Sequence, residues 1–195
     1  MSRDDETLAV YNTQAQKYEQ MVAAEPTPGL DDFIAALPAD ARVLDLGCGP
    51  GQCAAEMAAQ GLTVEGTDAS PQMVALTQAR GIPAHVAQFS DLSNTAVYHG
   101  IWANFSLLHL SKSDLPDILS RIHTALIPGG LFHIGMKLGM GELRDGIGRF
   151  YAYYSEDELL QHLTTAGFTA ESITHGEGKG LSGQIDPWIV VHARG

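Results

Sequence analysis

The chain has 195 residues, 45% of them hydrophobic and 17% charged. That composition belongs to a folded globular chain and excludes a disordered one. Lys+Arg 11 against Asp+Glu 23 leaves a net charge of −12, a field that repels nucleic acid.

Residues 4–24 read as one polar helix carrying Tyr11 and Tyr18. The break Pro26-Thr27-Pro28-Gly29 ends it, and Leu30, Phe33, Ile34 and Leu37 follow at helical spacing until Pro38. Strands and helices then alternate. The spacing predicts a strand at 42–46, a glycine turn at 47–51, an Ala-rich helix over 52–60 and a strand at 62–67. Ser70 is an N-cap with Pro71 behind it, and Gly81 stops that helix. Strands are predicted at 83–87 and 100–105, then a helix with Leu115, Ile118, Leu119 and Ile122 on one face. Gly129-Gly130 turns into a fifth strand, LFHIGM. A glycine-rich insertion over 135–154 has the composition of a closing loop near an acceptor pocket. Ser155 and Glu158 read as a capping box, Gly167 as the helix stop, and 168–174 with 187–193 as an antiparallel hairpin. Alternating β and α units predict one α/β domain over residues 1–195. Its architecture is a Rossmann-like, doubly wound, seven-stranded, mostly parallel sheet with an antiparallel edge hairpin.

The beginning of the chain lacks the basic-then-apolar pattern of a signal peptide, and no apolar run approaches the ~20 residues of a membrane span. Cys48 and Cys53 form neither a disulfide framework nor a usual zinc spacing, and the eight histidines are scattered. A cytoplasmic protein without metal, membrane or nucleic-acid partner is expected, as a monomer or homodimer.

The chemistry is carried by Val43-Leu44-Asp45-Leu46-Gly47-Cys48-Gly49-Pro50-Gly51. A strand running into alternate glycines lets the backbone approach a ligand at a helix N-terminus. A dinucleotide fingerprint needs a glycine at position 52, where Gln52 stands, and this argues against a nicotinamide oxidoreductase. Asp68, about twenty residues on, ends the second strand, placed to accept from both hydroxyls of a ribose. A nucleoside ligand without a pyrophosphate fits both features.

The ordered segments VLDLGCGPG, VEGTDAS, VAQFSDL, IWANFSLLHL and LIPGGLFHI resemble the class I S-adenosylmethionine-dependent methyltransferases. The resemblance implies S-adenosyl-L-methionine as cofactor and methyl transfer to an O, N, S or C atom of a small-molecule acceptor. It implies that Asp45 and the backbone of Gly47, Cys48 and Gly49 hold the methionine end, with the carbonyl of Asn104 receiving the ammonium. Asp68 binds the ribose, and Ala69, Met73, Gln88 and Phe89 meet the adenine. It further implies that residues 1–28 form a lid. Where relatives often carry Asp near the start of the fourth strand, this chain has His99.

Tyr18, His109 and Tyr11 are the candidate catalytic groups, should the acceptor need to lose a proton. Arg149 leads an aromatic cluster that includes Tyr151 and Tyr154; these three are the candidate acceptor-binding residues. Arg149 reads either as the partner of a nearby carboxylate or as a fork for an anionic group of the acceptor. Gly178-Lys179-Gly180 is no phosphate loop, and Gly180-Leu181-Ser182-Gly183 is no nucleophile elbow. A module that binds the cofactor without turnover is the alternative reading.

Overall fold

A computed structural model describes residues 4–23 and 26–195. Residues 1–3, 24 and 25, which fall within the expected lid, with residue 24 also in its helix, lie outside the described residues. The seven-stranded sheet runs β3 (Ala84–Val86), β2 (Thr63–Asp68), β1 (Arg42–Leu46), β4 (Tyr98–Asn104), β5 (Leu126–Lys137), β9 (Ile185–Arg194), β8 (Thr169–Lys179). The first five are parallel, and β9 is antiparallel to both its neighbours. The expected doubly wound sheet with its terminal antiparallel pair is present.

The sheet separates two apolar cores, and alternation along β1 explains both. Leu44 and Leu46 face the larger core with Ile101, Phe132 and Ile134, under α6 (Leu115–Ala125) and α7 (Glu156–Thr165). Val43 points the other way, toward Val64 and Trp102, where α3 (Leu30–Ala35) and α4 (Gln52–Ala59) bring Phe33, Ala54 and Met57. Asp45, two residues after Val43, lies on this second face at the strand's C-terminal end. Strand direction therefore gathers the ends of β1, β2 and β4 along one edge, where open α/β sheets bind ligands.

Local signals place the helices. Ser70 caps α5 (Pro71–Ala79) by accepting from Met73 N–H at 3.2 Å, with Pro71 at the first turn. Ser155 caps α7 through Glu158 N–H at 3.2 Å, but the capping box does not close, because the Glu158 carboxylate reaches Lys112 Nζ at 2.7 Å instead.

Two expectations are corrected. The single helix over 4–24 is two, α1 (Asp5–Thr13) and α2 (Ala15–Val22), broken at Gln14. The Thr13 hydroxyl donates to the carbonyls of Ala9 and Val10, competing with helix continuation. The insertion is not an open glycine loop. Residues 135–137 finish β5, and β6 (Glu142–Arg144) pairs antiparallel with β7 (Phe150–Ala152) as a hairpin.

Candidate active site

The glycine turn after β1 is built by close packing. Gly47 and Cys48 N–H both donate to the Thr67 carbonyl, at 2.8 and 2.9 Å, tying the ends of β1 and β2 together. Gly47 has φ +79°, and a Cβ there would strike the Ser106 side chain, whose hydroxyl donates to the Leu46 carbonyl at 2.7 Å. No side chain fits at that position. Gly49 N–H donates to one oxygen of Asp68 at 3.0 Å, and Ser70 N–H to the other at 2.8 Å. Each oxygen keeps a lone pair for a ligand hydroxyl.

Two adjoining cavities lie over this turn. The smaller, about 160 Å³, is lined by Asp68, Ala69, Met73, Gln88, Phe89 and Asn104 among others. The larger, about 870 Å³, takes in Asp45, Cys48, Asn104, Lys137, Tyr151 and the 177–183 loop. Tyr11, Tyr18, Gly47, Gly49, Asn104 and Phe105 line both and mark their junction. Every residue expected to meet the cofactor thus borders one cavity or the other.

Asp45 is buried, and its Oδ2 has no hydrogen-bond partner. Burial, helped by the nearby charge of Asp68, pushes its carboxyl up to about 8. Burial also raises Asp68, against its two backbone N–H bonds. This unpartnered buried oxygen beside the glycine turn is free to meet a polar group of a ligand. Phe105, just past β4, adopts φ +53°, a strained conformation for a non-glycine residue. Nothing in the sequence signals that strain.

The candidate catalytic groups meet although far apart in the chain. Tyr11 O–H contacts His109 Nε2 at 2.8 Å, and His109 Nδ1 lies 2.6 Å from the Phe150 carbonyl. A carbonyl accepts only, so Nδ1 carries the proton and Nε2 accepts from Tyr11. Burial holds the His109 ring down at about 4, hence neutral at pH 7. Tyr18 packs edge-on against Tyr11 at 5.3 Å, and burial raises both phenols.

Arg149 is 2% exposed. Its Nε and Nη2 donate to Asp145 Oδ2 at 3.0 and 2.8 Å, and its Nη1 to the Tyr11 oxygen at 3.0 Å. One oxygen of Asp145 thus takes a proton from each of Nε and Nη2, the carboxylate-partner reading of Arg149, and one proton on each of Nη1 and Nη2 remains. Tyr151 lines the larger cavity. Tyr154 does not reach either cavity: it lies in the larger core, its ring beneath Lys112 Nζ at 4.6 Å. Alternation places it there, because neighbouring residues of an extended segment point opposite ways.

His99 has a structural role, its Nδ1 accepting from Arg42 N–H at 3.1 Å where β1 begins. Missed from the sequence are Ser106, Asn12, which pairs with Ser70 at 2.6 Å, and His133, which joins Asn104 Oδ1 at 3.0 Å to His192 at 2.9 Å. The loop over the larger cavity carries the glycines at 178, 180 and 183, which the sequence matches to no motif.

Among the described residues no group of three or more His, Cys, Asp or Glu is arranged to hold a metal, and no helix is long and apolar enough to cross a membrane. A methyltransferase-domain family profile matches residues 43–130. The chain is 35% identical over 124 residues to a trans-aconitate 2-methyltransferase of Delftia acidovorans, covering 58% of this chain and 45% of that one. It is 33% identical over 103 residues to an uncharacterized methyltransferase of Synechocystis, covering 47% and 44%. These matches span less than half the length of those relatives. In structure it resembles the 1,6-didemethyltoxoflavin-N1-methyltransferase of Burkholderia thailandensis, solved with S-adenosylhomocysteine bound. The TM-score is 0.78 at 24% identity, over 97% of this chain and 87% of that one. The [4+2]-cyclase SpnF shares the fold too, with TM-score 0.71 at 18% identity over 96% of this chain and 95% of that one. The ordered motifs, the sheet topology and these likenesses give the chain the fold of the class I S-adenosylmethionine-dependent methyltransferases, with a methyltransferase-domain match over residues 43–130.

Proposed function

We propose that this chain transfers a methyl group from S-adenosylmethionine to a small-molecule acceptor. The observation that carries the reading is the pair of carboxylates at the ends of β1 and β2. Asp45 has a buried oxygen without a partner, and Asp68 is set by two backbone N–H groups around a turn where Gly47 has no room for a side chain. Asp68 would hold the ribose, with Ala69, Met73, Gln88 and Phe89 around the adenine. Asp45, the backbone of Gly47, Cys48 and Gly49, and the Asn104 carbonyl would hold the methionine end. When bound, the cofactor supplies an already activated methyl group, so the chain's contribution is mainly alignment, worth ~7–11 kcal/mol in favourable cases.

Tyr11 and Tyr18 stand at the junction of the two cavities, where the acceptor atom would meet the methyl group. For an acceptor that must lose a proton, Tyr11 oxygen takes it while the Tyr11 proton passes to neutral His109 Nε2. Arg149, 3.0 Å from the same oxygen, offsets negative charge developing there. Related enzymes act on trans-aconitate and 1,6-didemethyltoxoflavin, which supports a small acceptor. The charge of −12 argues against a nucleic-acid acceptor, and two buried free cysteines fit a reducing cytoplasm.

The test is calorimetric titration with S-adenosylhomocysteine, then transfer of a labelled methyl to a panel of small acceptors. Asp68→Ala should weaken cofactor binding by about tenfold or more through loss of a charged hydrogen-bond acceptor. Unchanged affinity removes the ribose assignment. Cofactor binding with no labelled product from any acceptor would favour a module without turnover.

A further inference from the structure

The larger cavity contains one point where two cations converge. A Cβ built on Gly180 would lie 3.6 Å from Lys137 Nζ, 3.8 Å from Arg149 Nη2 and 3.8 Å from the Gln184 carbonyl. Both cations also border the ring of Tyr151, with Lys137 Nζ 4.1 Å and Arg149 Cζ 5.1 Å from its centroid. Gly180, Lys137, Arg149 and Tyr151 all line the cavity.

Counting protons shows what remains available. An ammonium has three. Asp186 takes one from Lys137 at 2.6 Å, and the Tyr151 ring takes another. Arg149 has five, of which Nε, Nη1 and Nη2 each spend one on Asp145 or Tyr11. Each cation therefore keeps a proton with no protein partner among the described residues, and the two groups flank one spot. The two oxygens of a carboxylate match two such donors. Lys137 and Arg149 are balanced by Asp186 and Asp145, and with Asp45 holding its proton at pH 7 the remaining charges on the lining, Lys17 and Lys179 against Glu177, leave one positive charge, which suits a monoanion better than a dianion such as a phosphate ester. Lys179 and Lys17, on the lining of the same cavity, draw an anion inward against the field of an acidic protein.

We propose that the acceptor carries a carboxylate anchored at Gly180 by Lys137 and Arg149, with its reactive end toward Tyr11 and Tyr18. This rests on the methyl-transfer reading. Gly180 is then a specificity determinant, because the missing side chain leaves the space that the carboxylate fills.

The glycine makes a clean test. Its backbone is not in the left-handed region, and the contacts of an added methyl are ordinary ones, so Gly180→Ala should fold normally and fill the spot. Benzoate and butyrate, each beside its amide, and phenyl phosphate are titrated calorimetrically into the protein, with and without saturating S-adenosylhomocysteine. At least one carboxylate should bind, with its amide and the phosphate ester weaker. Gly180→Ala and Lys137→Gln should weaken the carboxylate by about tenfold or more, the scale of a charged hydrogen bond, with S-adenosylhomocysteine affinity unchanged. Should Lys137→Gln unfold the protein by leaving Asp186 unpaired, the Lys137→Gln/Asp186→Asn double variant replaces it. Absence of carboxylate binding, equal binding of acid and amide, tighter binding of the phosphate, or undiminished binding in Gly180→Ala overturns the anchor. Failure of S-adenosylhomocysteine to bind overturns the methyl-transfer reading instead, and the titrations of the free protein still decide the anchor.

Discussion

Two glycines of one turn have opposite liabilities. At Gly47 an added Cβ meets both a positive φ and the Ser106 side chain, whereas at Gly49 it meets only Tyr18, at 3.6 Å. Gly47→Ala should destabilise by about 3 kcal/mol, the range of combined backbone strain and overpacking. Gly49→Ala should lose only about 1–2 kcal/mol for its left-handed residue yet bind S-adenosylhomocysteine poorly, because the methyl enters the cavity. Urea unfolding beside calorimetry separates these outcomes; equal stability losses would contradict them.

Buried titratable groups give pH dependences of opposite sign. The folded value of Asp45, about 8, stands above the usual carboxylate value, so the folded state holds its proton longer and stability is lost as pH rises toward 8. The folded value of His109, about 4, stands below the usual 6.5, so stability is lost as pH falls from 6.5 toward 4. The two effects oppose each other between pH 4 and 6.5, and only that of Asp45 remains from 6.5 to 8. Asp45→Asn should therefore raise the thermal midpoint at pH 8 much more than at pH 5, removing a slope of about 1.4 kcal/mol per pH unit. A variant equally stable or less stable at pH 8 would show that Asp45 does not carry this penalty.

At the scale of elements, α1 and α2 cover the site through contacts of long sequence separation. Phe150 N–H donates to Thr7 Oγ1 at 2.7 Å, Arg144 pairs with Asp4 at 2.9 Å, and Arg80 with Glu19 at 2.7 Å. The two ion pairs are surface-exposed, each worth about 0.2–1 kcal/mol, so the hydrogen bonds of Thr7, Tyr11 and Asn12 hold α1 more firmly than α2 is held. Hydrogen exchange over residues 8–22 should slow on adding S-adenosylhomocysteine and quicken in Arg144→Ala. Identical exchange with and without ligand would leave α1 and α2 as fixed walls. The β6–β7 hairpin, read from sequence as a glycine loop, supplies the other wall. Its turn brings Asp145 to Arg149, and that pairing fixes the guanidinium between Tyr11 and the larger cavity.

Over the whole molecule, 23 carboxylates face only 11 Lys and Arg. Self-repulsion of that excess opposes compaction, and it is screened within about 8 Å at physiological ionic strength. Raising sodium chloride from a few millimolar to 0.15 M should lift the thermal midpoint, by calorimetry, before any ligand is added. A midpoint that falls with salt would mean that the ion pairs outweigh the repulsion.

The strand–helix alternation, the glycine turn, Asp68 and the terminal hairpin were legible in the sequence because each is encoded locally. Residue period, cap chemistry and turn glycines act over a few positions, and the ordered motifs fix their sequence along the chain. The break at Gln14 was not legible, since a hydroxyl competing for two carbonyls leaves no gap in the polar pattern. Nor was the inward turn of Tyr154, beside a Tyr153 with the same composition signal. Tyr11 with His109, Asn104 with His133 and His192, and Lys137 with Asp186 are 98, 29, 59 and 49 residues apart at their contacts. Such pairs depend on strand register and on how β9 inserts between β5 and β8. The sequence by itself determined that a nucleoside-binding α/β sheet forms. Only the tertiary structure decided which charges meet inside it, because partner choice follows from packing distances that no local pattern carries.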